Sequence, residues 1–262
     1  MAKRASLGRF GHLVLIACTY LFLWVPILVL LVFSFNTEGF PSPWKSFTLK
    51  WYVELIDSIY LWKAFGNSLL IALSSTFISV LMGIFLIFFV AQGGRVGKYL
   101  NLFYGSVIIP ETVLGVSLLG FFSLASISLG LATLIVGHTV LGLGFVIPLV
   151  YARYLELDER LTEASLALGA TPIQTFFKVT LPLLSPAFTT SALLVFIISF
   201  DDFILTYFCS GSSVQTLSLY ILSMIRSGIS PVVNALSALL LLISSIMVMF
   251  YFQLSTRSKI FI

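Results

Sequence analysis

Six stretches of this chain, near residues 12–35, 66–91, 100–122, 130–152, 184–208 and 232–254, are each apolar for long enough to cross a bilayer. A helix rises about 1.5 Å per residue, so about 20 apolar residues cover a hydrocarbon core roughly 30 Å thick. That core offers no water to backbone amides, and each run therefore has to satisfy its own N–H and C=O groups as a helix. Composition points the same way: 59% of the residues are hydrophobic and 9% are charged, against about a quarter charged in a soluble domain. The first run follows Lys3, Arg4 and Arg9 but is longer than a signal-peptide core, and no A-x-A site follows it, so it reads as an uncleaved anchor. The expected fold is an all-α membrane protein, one transmembrane domain over residues 1–262 with six spans.

Six spans return both ends to one side, and the distribution of Lys and Arg decides which side that is. With a cytoplasmic N-terminus, the inner segments hold Lys3, Arg4, Arg9, Arg95, Lys98, Arg153, Arg160, Lys178, Arg257 and Lys259, and the outer ones hold Lys45, Lys50, Lys63 and Arg226. This asymmetry predicts a plasma-membrane protein with both termini cytoplasmic. The long outer segments 36–65 and 210–231 carry Trp44, Trp51, Trp62 and Tyr220, residues that favour helices lying at the interface.

Several functions are disfavoured. The basic residues form no stripe, which argues against nucleic acid. Cys18 and Cys209 lie in or beside apolar runs and read as small buried hydrophobes. His12 and His138 are too few and too scattered for a catalytic or metal centre and read as helix-packing residues; no catalytic or metal-ligating set is expected. No glycine-rich phosphate loop is present, so the chain is expected to bind no ATP of its own.

The one sizeable inner loop, residues 154–183, is patterned. Asp158 and Glu159 favour a helix start, Leu161, Ala164 and Leu168 recur along one face, and Gly169 suits a stop with Pro172 just beyond. A second helical stretch is predicted from Pro172 to Val179, broken at Leu181-Pro182 where the chain turns back into the membrane. The product is a helix-turn-helix across the cytoplasmic face. A plain connector is the competing reading.

The string Glu163-Ala164-Ser165, three residues, Gly169, nine residues, Val179, one residue, Leu181-Pro182 resembles the E-A-A-x3-G-x9-I-x-L-P motif of binding-protein-dependent ABC importer permeases. Its spacing is complete; Ser165 replaces the second Ala and Val179 replaces Ile. The resemblance implies the MetI-like permease fold, with this loop docking on a cytoplasmic ATPase. By that resemblance Glu163 contacts the ATPase, Ala164 and Ser165 accompany it, Gly169 allows the turn, and Leu181-Pro182 fixes the loop to the fifth span. The competing reading of Glu163 is a solvated charge on an exposed helix.

Carboxylates inside a membrane mark functional sites by default. Glu111 is expected near the middle of the third span, and Asp201 and Asp202 towards the outer end of the fifth, with no Lys or Arg in the spans to neutralise them. Acids facing a pathway attract cations, and several in series match a molecule with separated positive charges, to which Tyr207 would add cation–π contact. Two alternatives stay open: Asp201 or Asp202 as the cap of a broken helix, and Glu111 as a protonated group bonded to backbone freed by Pro110. Pro26, Pro148, Gly83 and Gly115 are candidate bending points within the spans.

The strings Ile109-Pro110-Glu111-Thr112-Val113-Leu114-Gly115, Ser199-Phe200-Asp201-Asp202-Phe203 and Ile225-Arg226-Ser227-Gly228-Ile229-Ser230-Pro231-Val232-Val233-Asn234-Ala235 resemble the second permease subunit of spermidine/putrescine importers. That resemblance implies a second, different permease subunit, two copies of an ATPase that bind ATP and Mg, and a periplasmic polyamine-binding protein, all assembled in the lipid bilayer without nucleic acid. The chain itself would be a transport subunit, not an enzyme. Competing readings are an ABC permease for another small solute, a proton-driven secondary transporter using the same acids, and an intramembrane enzyme, for which no paired catalytic groups are found.

Overall fold

The computed structural model describes residues 2–39, 42–226 and 231–258, and its secondary structure there is helical apart from a single antiparallel bridge between Asn36 and Phe47. In chain order the helices are α1 (Ala2–Phe33), α2 (Lys50–Ile56), α3 (Ile59–Ala91), α4 (Gly97–Ile108), α5 (Glu111–Leu124), α6 (Leu131–Leu155), α7 (Glu159–Ala167), α8 (Pro172–Thr175), α9 (Leu181–Asp201), α10 (Ile204–Cys209), α11 (Leu217–Arg226) and α12 (Pro231–Ser258). A π-helical turn, Phe176–Thr180, joins α8 to α9. Among the described residues four helical segments are long and apolar enough to cross a membrane: His12–Phe33, Ile59–Ala91, Leu131–Leu155 and Pro172–Asp201. They match the first, second, fourth and fifth sequence runs, while the third and sixth runs carry shorter apolar helices, Glu111–Leu124 and Pro231–Ile246.

The chain forms two compact units, Met1–Ile59 with Ile221–Ile262, and Tyr60–Tyr220. In the first, α12 packs against both α1 and α2. The stretch between α1 and α2 is organised by the fully buried Asn36. Its Nδ2 donates to Glu38 O at 2.8 Å and Pro43 O at 3.3 Å, and its Oδ1 accepts from Lys45 N at 2.9 Å. Trp51 Nε1 donates to the Asn36 carbonyl at 2.8 Å, pinning α2 to this loop. Cys18 is exposed, contrary to the expectation of burial: the apolar window of α1 buries nothing within the chain and leaves its side chains for lipid or another subunit. Cys209 is buried as expected.

The second unit is built around α6, which packs on α4, α9 and α10. Small residues let the helices close: a Cβ on Gly142 would lie 2.5 Å from Ser79 Oγ, and one on Gly83 would lie 2.7 Å from Val146. The core towards the end of α6 gathers Ile87, Val146, Val150, Phe176, Leu184 and Phe188.

Two of the apolar runs are broken helices. The run 100–122 divides at Ile109-Pro110, both extended with ψ of 131° and 136°. Proline has no N–H and drives the residue before it out of the helical region. Glu111 consequently opens α5 instead of lying mid-helix. The run 184–208 divides at Asp202, whose ψ of 131° ends α9 before α10 begins. Conversely, the helix does not break at Leu181-Pro182 as expected. Leu181 N bonds back five residues to Phe176 O, and this widened turn removes the clash a proline makes with a tighter α-helical turn, so Pro172–Asp201 runs on as one helical segment.

Candidate functional site

The patterned loop folds from its own caps. Asp158 Oδ1 accepts from Arg160 N at 3.0 Å to start α7, and Thr171 with Gln174 forms a reciprocal capping box that starts α8. Between them Gly169 sits at φ +87°. Gly169 N donates to Leu166 O at 2.9 Å and Ala170 N to Ser165 O at 3.2 Å, the paired bonds of a Schellman stop, which needs the left-handed conformation that glycine adopts without strain.

No residue of α7 is buried, and Glu163 and Ala164 are exposed. Leu168 is 89% exposed and Ile173 57%, so the element turns apolar side chains outward. It is nonetheless fixed underneath. Ser165 Oγ lies 3.0 Å from Thr175 Oγ1, and Phe176 is buried with its ring edge-on to Phe88 at 5.0 Å. Leu181 is half-buried against the core, and Pro182 lies in the exposed first turn of α9.

The second candidate region is where α10 packs against α5 and α6. The fit is close: a Cβ on Gly115 would stand 2.7 Å from Phe208, and one on Gly137 would stand 3.1 Å from Leu205. Of the acids singled out from sequence, Asp201 is exposed as the last residue of α9. Glu111 is half-buried at the start of α5. Tyr207 is 49% exposed, with Phe203 tilted against it at 5.8 Å. Phe203 had not been singled out; its spacing of one turn from Tyr207 is the signal that finds it.

Asp202 points the other way. Its side chain is 1% exposed, and its carboxylate accepts from Leu205 N at 3.3 Å, Thr206 N at 2.8 Å and Thr206 Oγ1 at 3.0 Å. The broken helix is capped by its own aspartate. His138 on α6 completes the cluster, with Nε2 3.2 Å from Thr206 Oγ1 and 3.6 Å from Asp202 Oδ2, and Nδ1 2.8 Å from Ser199 Oγ. Ser199 in turn lies 3.2 Å from Ser75 Oγ on α3, and Ser218 Oγ donates to Asp202 O at 2.6 Å. Sequence reasoning read His138 as a packing residue and missed this network. Among the described residues no three His, Cys, Asp or Glu side chains converge to hold a metal. Residues 227–230 of the string 225–235 lie outside the described residues.

The chain belongs to the family described as "Binding-protein-dependent transport system inner membrane component", whose model matches residues 61–259. It is therefore an inner-membrane permease component of the ABC importer class. Among curated proteins it is 36% identical over 242 residues to the spermidine/putrescine transport system permease protein PotC of Escherichia coli strain K12, covering 92% of this chain and 91% of the relative. It is 30% identical to the putrescine transport system permease protein PotI of the same strain, covering 88% of this chain and 85% of that one. Among solved structures, a bacterial ABC transporter involved in import of the acidic polysaccharide alginate aligns with a TM-score of 0.69 at 15% identity, covering 96% of each chain. The MetNI methionine ABC transporter aligns with a TM-score of 0.59 at 23% identity, covering 80% of this chain and 98% of that one. At these identities the structural likeness establishes the permease fold.

Proposed function

We propose that this chain is one of two different permease subunits of an ATP-driven importer that carries polyamines, spermidine or putrescine, from periplasm to cytoplasm. The observation that carries the cargo reading is the 36% and 30% identity, each over about nine-tenths of the chain, to permeases whose names specify those cations. Acidic groups at both helix breaks support it: Glu111 at the first and the exposed Asp201 at the second, with no Lys or Arg in α5, α9 or α10. A cation with separated ammonium groups is stabilised by such a series, whereas an anion is repelled.

In this reading six spans place both termini in the cytoplasm, counting the broken α4–α5 pair as the third span. The exposed face of α7, with Glu163, Ala164 and the outward Leu168, docks on one of two copies of an ATPase that binds ATP and Mg. Gly169 sets the angle between α7 and α8, and Ser165, Leu181 and Pro182 tie them to α9. A periplasmic polyamine-binding protein delivers cargo to the outer loops. ATP-driven closure moves the coupling element, the spans open outward, cargo passes Asp201, Tyr207 and Glu111, and hydrolysis resets the cavity. Asp202 sets the bend from which Asp201 and Tyr207 emerge.

The complex, co-purified and reconstituted in proteoliposomes, is expected to take up labelled spermidine or putrescine only with ATP and binding protein. Glu163→Ala is expected to lower the uptake per ATP hydrolysed or to release the ATPase. ATP-coupled assembly without any polyamine response would keep the permease class and discard the cargo; uptake indifferent to ATP would discard the coupling role.

A further inference from the structure

Building on the polyamine-permease reading, we infer that His138 is a positioning residue for transport: through Thr206 it locks Asp202, so that the α9–α10 bend presents Asp201 and the Phe203–Tyr207 ring pair to cargo.

With a neutral imidazole the hydrogen bonds from Ser199 to Asp202 run in one direction. Thr206 Oγ1 donates to Asp202 Oδ2, so towards His138 it accepts, and Nε2 carries the proton. Nδ1 then accepts from Ser199 Oγ at 2.8 Å, and Ser75 Oγ, which donates to Ala72 O at 3.3 Å, lies 3.2 Å from Ser199 Oγ. From Ser199 through His138 and Thr206 the donors point towards one carboxylate, joining side chains of α6, α9 and α10, with Ser75 of α3 alongside. The imidazole is 1% exposed. Buried polar chains are strongly destabilising when any member loses its partner, so this one persists only where it holds a particular arrangement.

That arrangement is the break. Extended backbone at Asp202 leaves amides and a carbonyl without helical partners; the carboxylate takes two of the amides, and Ser218 Oγ takes the carbonyl. Thr133 Oγ1 donates to Cys209 O at 2.9 Å, holding the far end of α10 to α6 as well. α10 is thus fixed to α6 at both ends, by His138 through Thr206 and by Thr133. Asp201 and Asp202, adjacent in sequence, consequently do different work: the first is exposed to cargo and the second is held inside.

The test uses the assembled complex in proteoliposomes, with spermidine uptake counted per assembled complex and fitted for KM and Vmax. His138→Leu is expected to lower Vmax about tenfold with KM within about twofold, the pattern of a group that acts without touching substrate. His138→Gln, whose amide has both a donor and an acceptor, is expected to restore most of that loss, a rescue that a merely space-filling role does not give. His138→Leu with Asp202→Asn is expected to be no worse than the worse single variant, because the two act as one unit. Asp201→Asn is expected instead to raise KM. Single losses that multiply in the double variant, a His138→Gln as poor as His138→Leu, or a His138→Leu that raises KM with Vmax intact would each overturn the inference.

Should His138→Leu fail to assemble, Thr206→Val removes the bridging hydroxyl alone; a fall in its Vmax supports the lock and wild-type uptake overturns it. A wild-type complex that ignores polyamines rejects the cargo reading by itself. The lock is then read from binding-protein-stimulated ATP hydrolysis in the same variants, where loss supports it and wild-type rates overturn it.

Discussion

Ser165 Oγ lies 3.0 Å from Thr175 Oγ1, a hydrogen bond that ties α7 to α8 across the Gly169 turn. The motif this chain resembles has alanine at position 165, so here the serine adds a strut that alanine lacks. Thr175 is buried, and Ser165→Ala leaves its hydroxyl without this partner at a cost of about 1–2 kcal/mol. The expected outcome is a fall in polyamine imported per ATP hydrolysed of about five- to thirtyfold, the factor that such an energy spans. Adding Thr175→Val removes the orphaned hydroxyl and is expected to recover part of the coupling.

Gly169 tests the same element through the backbone. With φ at +87° and nothing within 4 Å of a built Cβ, substitution costs conformational strain and no clash. Gly169→Ala is expected to cost about 1 kcal/mol, Gly169→Asn less, and Gly169→Val more because branching at Cβ disfavours the left-handed region. Affinity of the reconstituted permease pair for its ATPase is expected to fall in the order Asn, Ala, Val. Equal affinities across the three would show that the turn angle does not matter to docking.

The cargo surface makes a separate prediction. Tyr207 and Phe203 are exposed side by side with their rings 5.8 Å apart, and a ring face stabilises an ammonium group by about 0.5–2 kcal/mol. Tyr207→Leu is expected to raise KM for spermidine by about three- to tenfold, and Tyr207→Phe to leave it near wild type, since the ring is kept. Asp201→Asn is expected to raise KM further and to flatten its dependence on salt, because a formal charge is lost. Steady-state uptake at varied ionic strength reads both effects.

The apolar runs were legible because crossing a bilayer depends only on length and composition, and α1, α3, α6 and α12 fall where those runs do. Their interruptions were harder to read. Apolarity continues through Pro110 and through Asp202, while the break is decided by the backbone of one or two residues. The α7–α8 helix-turn-helix was legible because caps and a glycine stop act over three or four residues. Its exit was misread at Leu181-Pro182, because a proline that ends an α-helical turn is accommodated by a π turn. His138 was illegible as a polar centre: Ser199 and Thr206 are 61 and 68 residues away, and their approach is a property of how α6 packs on α9 and α10. Ser75, the far end of that network, reads in sequence as one more small residue of α3.

Asn36 carries the last prediction, about the loop between α1 and α2. Its side chain makes three hydrogen bonds while fully buried, and its carbonyl holds Trp51. Asn36→Asp keeps the acceptor for Lys45 N but has no amide to donate to Glu38 O and Pro43 O; Asn36→Ala removes all three bonds. At about 1 kcal/mol per bond and more for each group left buried without a partner, a charged one above all, Asn36→Ala is expected to loosen the loop by about 2–4 kcal/mol and Asn36→Asp, whose carboxylate faces two carbonyl oxygens, by at least as much. Limited proteolysis of the reconstituted complex is expected to cut the region between α1 and α2 faster in both variants than in wild type, with Asp cut at least as fast as Ala. Because the loop lies outside the coupling element, ATP hydrolysis without binding protein is expected to stay at the wild-type rate, while stimulation by binding protein falls. A loop that resists cleavage in both variants would mean that the Asn36–Phe47 bridge and the stacked Phe35 and Phe47 rings, 5.3 Å apart, hold it without the asparagine.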